Sequence, residues 1–417
     1  MPHGELKWKV LAADQMAVYM PAHRNASSFI CQHLESLKEK NLYRQLRVVE
    51  SAQSSWVKLE GKEVLNLCSN DYLGLATHPQ VTEVAAQAIR KWGCGSGASR
   101  LICGTHSFHQ VLERRLAEFK GVEATLLYNS GYNANLGIIS AMAGKGDCVF
   151  SDELNHASII DGSRLSQAKV LVFPHNDMEA LEGKLRWASS TGHAKRKLIV
   201  VDGVFSMDGD LAPLPELVNL AEKHDCLLMV DEAHATGVLG PNGRGVAALF
   251  GVEKRVPILM GTLGKALGSS GGFAAGSQEL IEFLINTSRS FIFTTALPAA
   301  VVLSAQAALD VLVADPSLPL KVLENASYLR DGLNKLGYNT LNSETQIIPL
   351  VIGDAARALE MSRLLLNEGV LATAIRPPTV PEGTCRIRTT VMATHTRQDL
   401  DFALTAFEKS GRRMGIL

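Results

Sequence analysis

The feature that most restricts how this chain can fold is a repeated pairing of a short apolar run with an amphipathic stretch, from about residue 100 to residue 300. Leu198-Ile199-Val200-Val201 and Leu227-Leu228-Met229-Val230 are continuous apolar runs, the pattern of strands covered on both faces. Ser107 to Lys120 repeats apolar residues at helical spacing (Val111, Leu112, Leu116, Phe119) and stops at Gly121, and Pro213-Leu-Pro predicts a helix that runs to about His224. Strand, helix, strand, helix reads as an α/β fold with a largely parallel sheet and crossover helices. Open parallel sheets bind ligands outside the carboxyl ends of their strands. The polar residues that end the apolar runs are therefore the place to search: Ser151-Asp152, Asp202-Gly203, Asp231-Glu232-Ala233-His234 and Gly261-Thr262.

After about residue 306 the pattern becomes a helix, a short strand (Gln346 to Ile352), a helix (Ala355 to Glu368) and a strand near Arg386 to Thr390, as expected of a second, smaller α+β domain. The expected division is an N-terminal segment over 1–67, a large domain over 68–305 and a small C-terminal domain over 306–417. Residues 1 to about 30 show no firm periodicity.

Composition narrows the class. With 46% hydrophobic residues the 417-residue chain has ample core, and 41 Lys+Arg against 42 Asp+Glu leave a net charge of −1. That balance gives no reason to expect a nucleic acid or an acidic membrane as partner. The seven cysteines are scattered without a C-x-x-C pair, which fits the reducing cytoplasm, and no metal site is expected. Ala296 to Ala314 is the most apolar stretch, but Pro298, Ser304, Gln306 and Asp310 interrupt it; it reads as a buried helix, not a membrane span.

Gly261-Thr-Leu-Gly-Lys265-Ala-Leu-Gly268 sets one lysine among glycines just beyond an apolar strand, Val256 to Met260. Burial lowers a lysine pKa and frees its amine as a nucleophile, so Lys265 could form a Schiff base. A phosphate-binding P-loop would need Ser or Thr after the lysine, and Ala266 stands there. Asp231 and His234 fit either a satisfied strand end or a pyridoxal phosphate site. There a carboxylate keeps the pyridine nitrogen protonated and a donor meets the phenolate oxygen. Ser130-Gly131-Tyr132-Asn133, between a strand ending at Tyr128 and a helical run, could offer backbone N–H groups to a phosphate. His156 could stack on a ring or simply start a helix. Ser206 could be a ligand or a turn hydroxyl. Arg388, in an apparent strand, could grip a carboxylate or be an ordinary strand arginine.

Together and in this order, the motifs resemble the α-oxoamine synthase family, pyridoxal-phosphate enzymes that join an amino acid to an acyl-CoA with loss of carbon dioxide. The resemblance covers about residues 34 to 410. It rests on SNDYLGL (69–75), GSGASRLICGTH (95–106), SDELNHASIIDG (151–162), GVFSMDGDLAPL (203–214), VDEAHATGVLGPNGRG (230–245) and GTLGKALGSSGG (261–272). It implies a fold-type I, aspartate aminotransferase-like transferase with pyridoxal 5'-phosphate as cofactor. In that light Lys265 is the Schiff-base lysine, Asp231 the partner of the pyridinium, His234 the phenolate-oxygen donor and His156 the stacking histidine. Ser206 resembles a cofactor-contacting serine, Thr262 a phosphate ligand, and Gly131-Tyr132 the backbone cradle of the phosphate. Thr294 and Thr295 resemble the pair that reaches the phosphate from a neighbouring subunit, which implies a homodimer with shared active sites. Asn70 and Arg388 match residues around the amino-acid substrate, and Arg47 matches an arginine near the acyl-CoA site. The string Ala374-Ile-Arg-Pro-Pro-Thr-Val-Pro381 with Glu382-Gly-Thr is similar to that of the family members that use L-alanine and a pimeloyl thioester, on CoA or a carrier protein, in biotin biosynthesis. Members that use glycine or serine remain the alternative, and a non-catalytic partner subunit is the alternative of another class.

Overall fold

The computed structural model describes residues 24–190 and 194–417. It divides into a unit spanning Met1–Leu46 and a unit spanning Arg47–Leu417. The first contributes helix α1 (Arg24–Glu39); most of the stretch without periodicity lies outside the described residues. Everything that follows concerns the second unit.

Strands β1 (Trp56–Leu59) and β2 (Lys62–Asn66) form a hairpin, followed by helix α2 (Pro79–Trp92) and helix α3 (Ser107–Lys120). The α3 bounds are those that the apolar spacing predicts, and Gly121 ends the helix with φ 70°, a left-handed conformation that glycine adopts without a Cβ clash. Then come β3 (Ala124–Tyr128), helix α4 (Gly131–Met142), β4 (Cys148–Asp152), helix α5 (Ala157–Leu165), β5 (Lys169–Phe173), β6 (Lys197–Asp202), β7 (Leu227–Asp231), β8 (Ile258–Thr262) and β9 (Gly272–Gly276). They form a seven-stranded sheet in the order β3-β9-β8-β7-β6-β4-β5. Only β9 runs against the rest, so the carboxyl ends of the other six share one edge.

The apolar runs of β6 and β7 are buried apart from the half-buried Leu227, and their side chains alternate between two core layers. Ile199, Val201, Leu228 and Val230 enter the layer that also holds α3, while Leu198, Val200 and Met229 enter the layer beneath α4 and α5. A period of two therefore sends Asp202, Asp231 and Thr262, at the strand ends, toward α4 and α5.

Some expectations shift. β8 starts at Ile258 rather than Val256, because Pro257 has no N–H for the ladder, and Gly261-Thr262 consequently end the strand instead of following it. The helix opened by Pro213 starts at Leu214 and ends at Lys223. The apolar stretch forms a helix over Ala299–Ala314 with Pro298 at its N-cap, packed in the core. Among the described residues no single helix is long and apolar enough to cross a membrane.

The C-terminal part supplies β10 (Ile347–Gly353), β11 (Val370–Leu371), β12 (Thr373–Ile375) and β13 (Cys385–Thr390). β13 lies antiparallel between β10 and β12, while β11 runs parallel to β2 and so ties the early hairpin to the C-terminal region.

Candidate active site

A cavity of about 160 Å³ lies at the carboxyl ends of β6, β7 and β8, lined among others by Gly131, His156, Asp202, Asp231, His234 and Lys265. Ser206, Tyr132 and Thr262 also reach its wall.

Asp231 is 4% exposed. Its Oδ2 accepts the amide of Asn135 at 2.7 Å and its Oδ1 accepts the N–H of Ala233 at 2.8 Å. The same Asn135 amide donates to Ser158 Oγ at 2.8 Å, so one residue of α4 links the strand end to α5. Asp202 is the register partner of Asp231 on the adjacent strand. Burial, and next the charge of Asp231, push the Asp202 carboxyl well above the usual carboxylate range, although the N–H of His156 donates to it at 2.7 Å.

Lys265 sits in the turn between β8 and β9. Desolvation of its amine lowers its pKa to about 8; Arg388 pushes the same way, while Asp231 and Asp202 oppose. The neutral amine is thus about a tenth of the total at pH 7, against well under a thousandth for an ordinary lysine, which favours it as a nucleophile. His234 is buried, and that burial, reinforced by the charges of Lys265 and Arg388, holds it well below the usual histidine range. Its Nδ1 lies 2.6 Å from the Tyr72 hydroxyl, which is 3.2 Å from Asn70 Oδ1. Asn70 Oδ1 is also served by Arg388 Nη2 at 3.3 Å. When the Tyr72 hydroxyl gives its single proton to Nδ1 rather than to Asn70 Oδ1, which Arg388 also serves, the neutral ring carries its own proton on Nε2 and has a donor to offer.

His156 caps α5, its Nδ1 accepting the N–H of Ser158 at 3.2 Å. Desolvation, with Lys265 nearby, lowers its pKa even though much of the residue reaches solvent. Its ring meets that of Tyr132 edge-on at 6.4 Å. Tyr132, for its part, donates to Asp161.

The start of α4 meets the sheet closely. A Cβ on Gly272 would sit 2.8 Å from the Gly131 backbone, and one on Gly131 would sit 3.2 Å from Met260. Only glycines let this helix N-terminus reach the cavity. Ser130 Oγ takes the N–H of Asn133 at 3.1 Å, whereas the N–H groups of Gly131 and Tyr132, in the first turn, have no intrahelical acceptor. These features fit pyridoxal phosphate: an anion cradle at a helix start, a buried carboxylate at the cavity base, a neutral histidine donor and a lysine of lowered pKa. Asp231, His234, Lys265 and the α4 start would hold it.

Arg388 is buried on β13. Its Nε donates to the Ser206 carbonyl at 2.5 Å. Asn70, Ser206 and Arg388 therefore come together beside the cavity, from three distant parts of the chain. Thr262 is in the wall, but its hydroxyl donates to the Gly271 carbonyl at 2.8 Å. Thr294 and Thr295 are not in the wall of this cavity; the Thr295 carbonyl accepts from Asn129 at 2.7 Å. Arg47 is exposed and outside the wall, and is a nearby charge that lowers the pKa of Cys68 against its burial. Asn135, Ser158 and Tyr72 escaped sequence reasoning, since an Asn inside a helix or a Tyr in a loop carries no spacing signal. Asp202, at an apolar run's end, had one. A second cavity of about 740 Å³ shares His156 and Ser206 and is walled by Leu154, Ile160, Phe205 and the Pro377–Pro381 stretch.

The aminotransferase class I and II family matches residues 62–407. The 8-amino-7-oxononanoate synthase of Geotalea daltonii is 54% identical over 387 residues, covering 92% of this chain and 98% of that protein. That of Geobacter sulfurreducens is 54% identical over 391 residues, covering 93% and 99%. A serine palmitoyltransferase from S. paucimobilis, solved with bound PLP, superposes with a TM-score of 0.88 at 33% identity, covering 94% of this chain and 99% of that one. With a lysine, carboxylate and histidine gathered at the same strand ends and relatives of this likeness along nearly its whole length, the chain belongs to the α-oxoamine synthase family of pyridoxal-phosphate enzymes.

Proposed function

We infer that the chain is an acyltransferase of biotin biosynthesis that joins L-alanine to a pimeloyl thioester, releasing carbon dioxide and the thiol and giving 8-amino-7-oxononanoate. The observation that carries this reading is the pairing of Lys265, its amine at a pKa of about 8 among Asp231, Asp202 and Arg388, with relatives of that name at 54% identity.

Bound pyridoxal phosphate supplies an electron-accepting ring that stabilises negative charge at the amino acid's α-carbon. Lys265 would hold the cofactor through Nζ, and the same amine, when free, would take and return the α-proton. Asp231, held in place by Asn135 and the N–H of Ala233, would set its carboxylate against the cofactor's ring nitrogen. His234 would donate a hydrogen bond to the phenolate oxygen, and His156 would cover the ring. Arg388 binds the substrate carboxylate with Asn70 beside it. The larger cavity beyond His156, whose wall sets Leu154, Phe205 and the prolines beside Asp208 and Arg386, gives the thioester a place. Thr294 and Thr295 serve the phosphate of a partner subunit in a homodimer, and Arg47 lies on the approach of the acyl donor. In the division at residue 305/306, Arg388 belongs to the smaller domain and the cofactor residues to the larger.

A thiol-release assay tests the reading by crossing alanine, glycine and serine with short, pimeloyl and long acyl-CoAs and pimeloyl carrier protein. Release is expected with alanine and a pimeloyl donor. A preference for glycine with acetyl-CoA would reassign the chain to 2-amino-3-oxobutyrate CoA ligase chemistry. No release from any pair would leave a non-catalytic partner subunit. The four residues Lys265, Asp231, His234 and His156 in one cavity speak against that outcome.

A further inference from the structure

Outside both cavities, one histidine bridges two carboxylates. His175, two residues after β5, has Nδ1 3.1 Å from Asp152 Oδ1 and Nε2 2.7 Å from Asp210 Oδ2. Ionised carboxylates only accept hydrogen bonds, so satisfying both requires a proton on each ring nitrogen. Burial opposes that charge, but the bonds to Asp152 and Asp210 outweigh it and carry the imidazole's pKa up to about 10.

The bridge is reinforced around its edges. The His175 N–H donates to Glu153 Oε1 at 3.0 Å, and the Asn176 N–H to Asp152 Oδ2 at 2.9 Å. The Asn176 side-chain amide reaches the Leu211 carbonyl at 3.2 Å. The imidazole also meets Phe205 edge-on, 4.3 Å between ring centres. The contacts to Asp152 and Glu153 join the residues after β5 to the end of β4, and those to Phe205, Asp210 and Leu211 carry the bridge on to the segment 203–211. That segment's other side faces β13: the Ser206 carbonyl takes Arg388 Nε at 2.5 Å, and Asp208 pairs with Arg386 at 2.5 Å.

We propose that His175 is a positioning residue: by tying Asp210 to the end of β4 it fixes the segment 203–211, from which Ser206 lines the cofactor cavity and its carbonyl braces Arg388 for the amino-acid carboxylate. The role rests on the proposed reading of Ser206 and Arg388. It gives a physical reason for a charged histidine at a site that touches neither cofactor nor substrate.

The test uses the holoenzyme and follows the cofactor's visible spectrum as alanine is added, with no thioester present. His175→Ala is expected to weaken alanine binding about tenfold, the scale of a lost charge-assisted contact, and to weaken cofactor binding less. His175→Gln, which keeps one donor, should fall between. Asp210→Asn removes the bridge's charge without emptying space and should move alanine binding in the same direction; it carries the test if His175→Ala does not fold. Arg196→Ala, which breaks the Arg196–Asp147 pair at the opposite end of β4, should leave alanine binding unchanged. If the His175 and Asp210 variants lose only thermal stability and bind alanine and cofactor as wild type does, the proposal is overturned. A wild-type spectrum indifferent to alanine, glycine and serine would instead sink the proposed function.

Discussion

Asp231 and Glu232 are adjacent, equally charged and both buried, yet they sit in opposite kinds of environment. Glu232 falls on the α3 side, where Oε2 meets the Lys120 amine and Oε1 accepts the N–H of Ala247 at 2.8 Å. Gly245 leaves it room, since a Cβ there would come within 2.4 Å of the carboxylate. Asp231 falls on the α4 side, and its charge acts on a cavity holding Lys265 and His234. The difference teaches that a buried charge closed by an opposite one serves the fold, whereas one closed by neutral amides beside an open space keeps its field for a ligand. The sheet's period of two does the sorting.

Lys265→Ala tests the open side most severely. Turnover should fall by at least roughly 10³-fold, with loss of the yellow colour of the lysine-bound cofactor and an unchanged fold, because Lys265 is the amine in the cavity. Colour and activity retained in that variant would break the comparison at its root.

Asp231→Asn keeps the shape but removes the charge and turns one accepting oxygen into an NH2 donor, which the otherwise unpartnered Asn135 Oδ1 can accept once that amide turns, while the N–H of Ala233 keeps its oxygen. The rate should drop about 10²- to 10³-fold while the melting temperature changes little. A comparable rate after the exchange would mean that the carboxylate is structural after all.

Glu232→Ala should show the reverse. It leaves the Lys120 charge buried without its partner, a loss of about 3–5 kcal/mol in stability by denaturant unfolding, while the folded fraction keeps a rate within about threefold of wild type. A rate loss as large as that of Asp231→Asn would erase the distinction between the two sides.

The smallest effect concerns pH. The His175 pKa is raised to about 10, above the ordinary value near 6.5, so its bridge stabilises fully below that ordinary value and loses its contribution as pH rises toward 10. The melting-temperature gap between wild type and His175→Gln should therefore be widest near pH 6 and close near pH 10. His109 and His395 behave oppositely. Burial holds each at about 4, so stability should decline as pH falls from about 6.5 to about 4.

Much of this was legible beforehand, for identifiable reasons. The runs 198–201 and 227–230 had to be strands covered on both sides, because continuous apolar residues have no face to give to water. The Ser107–Lys120 helix was bounded by its own periodicity and by Gly121. Lys265 stood out because a glycine-lined turn after a strand is an unusual place for a lone cation. The pairing of the β1–β2 hairpin with β11 was not legible, since partners some 300 residues apart leave no local trace, and neither was the reversal of β9, whose partner β3 lies some 150 residues upstream. Asn135 and Tyr72 were hidden for the same reason: what they do depends on side chains that come near only after folding.

By itself the sequence determined the type and order of the central elements and the chemical character of the residues at their ends, because periodicity, turn chemistry and residue type are local properties. Only the tertiary structure decided which of two neighbouring carboxylates faces the cavity, that Asn70, Ser206 and Arg388 meet, and that His175 bridges to Asp210. Those outcomes depend on strand register and on which helix covers which face, and they are set by packing across the whole chain.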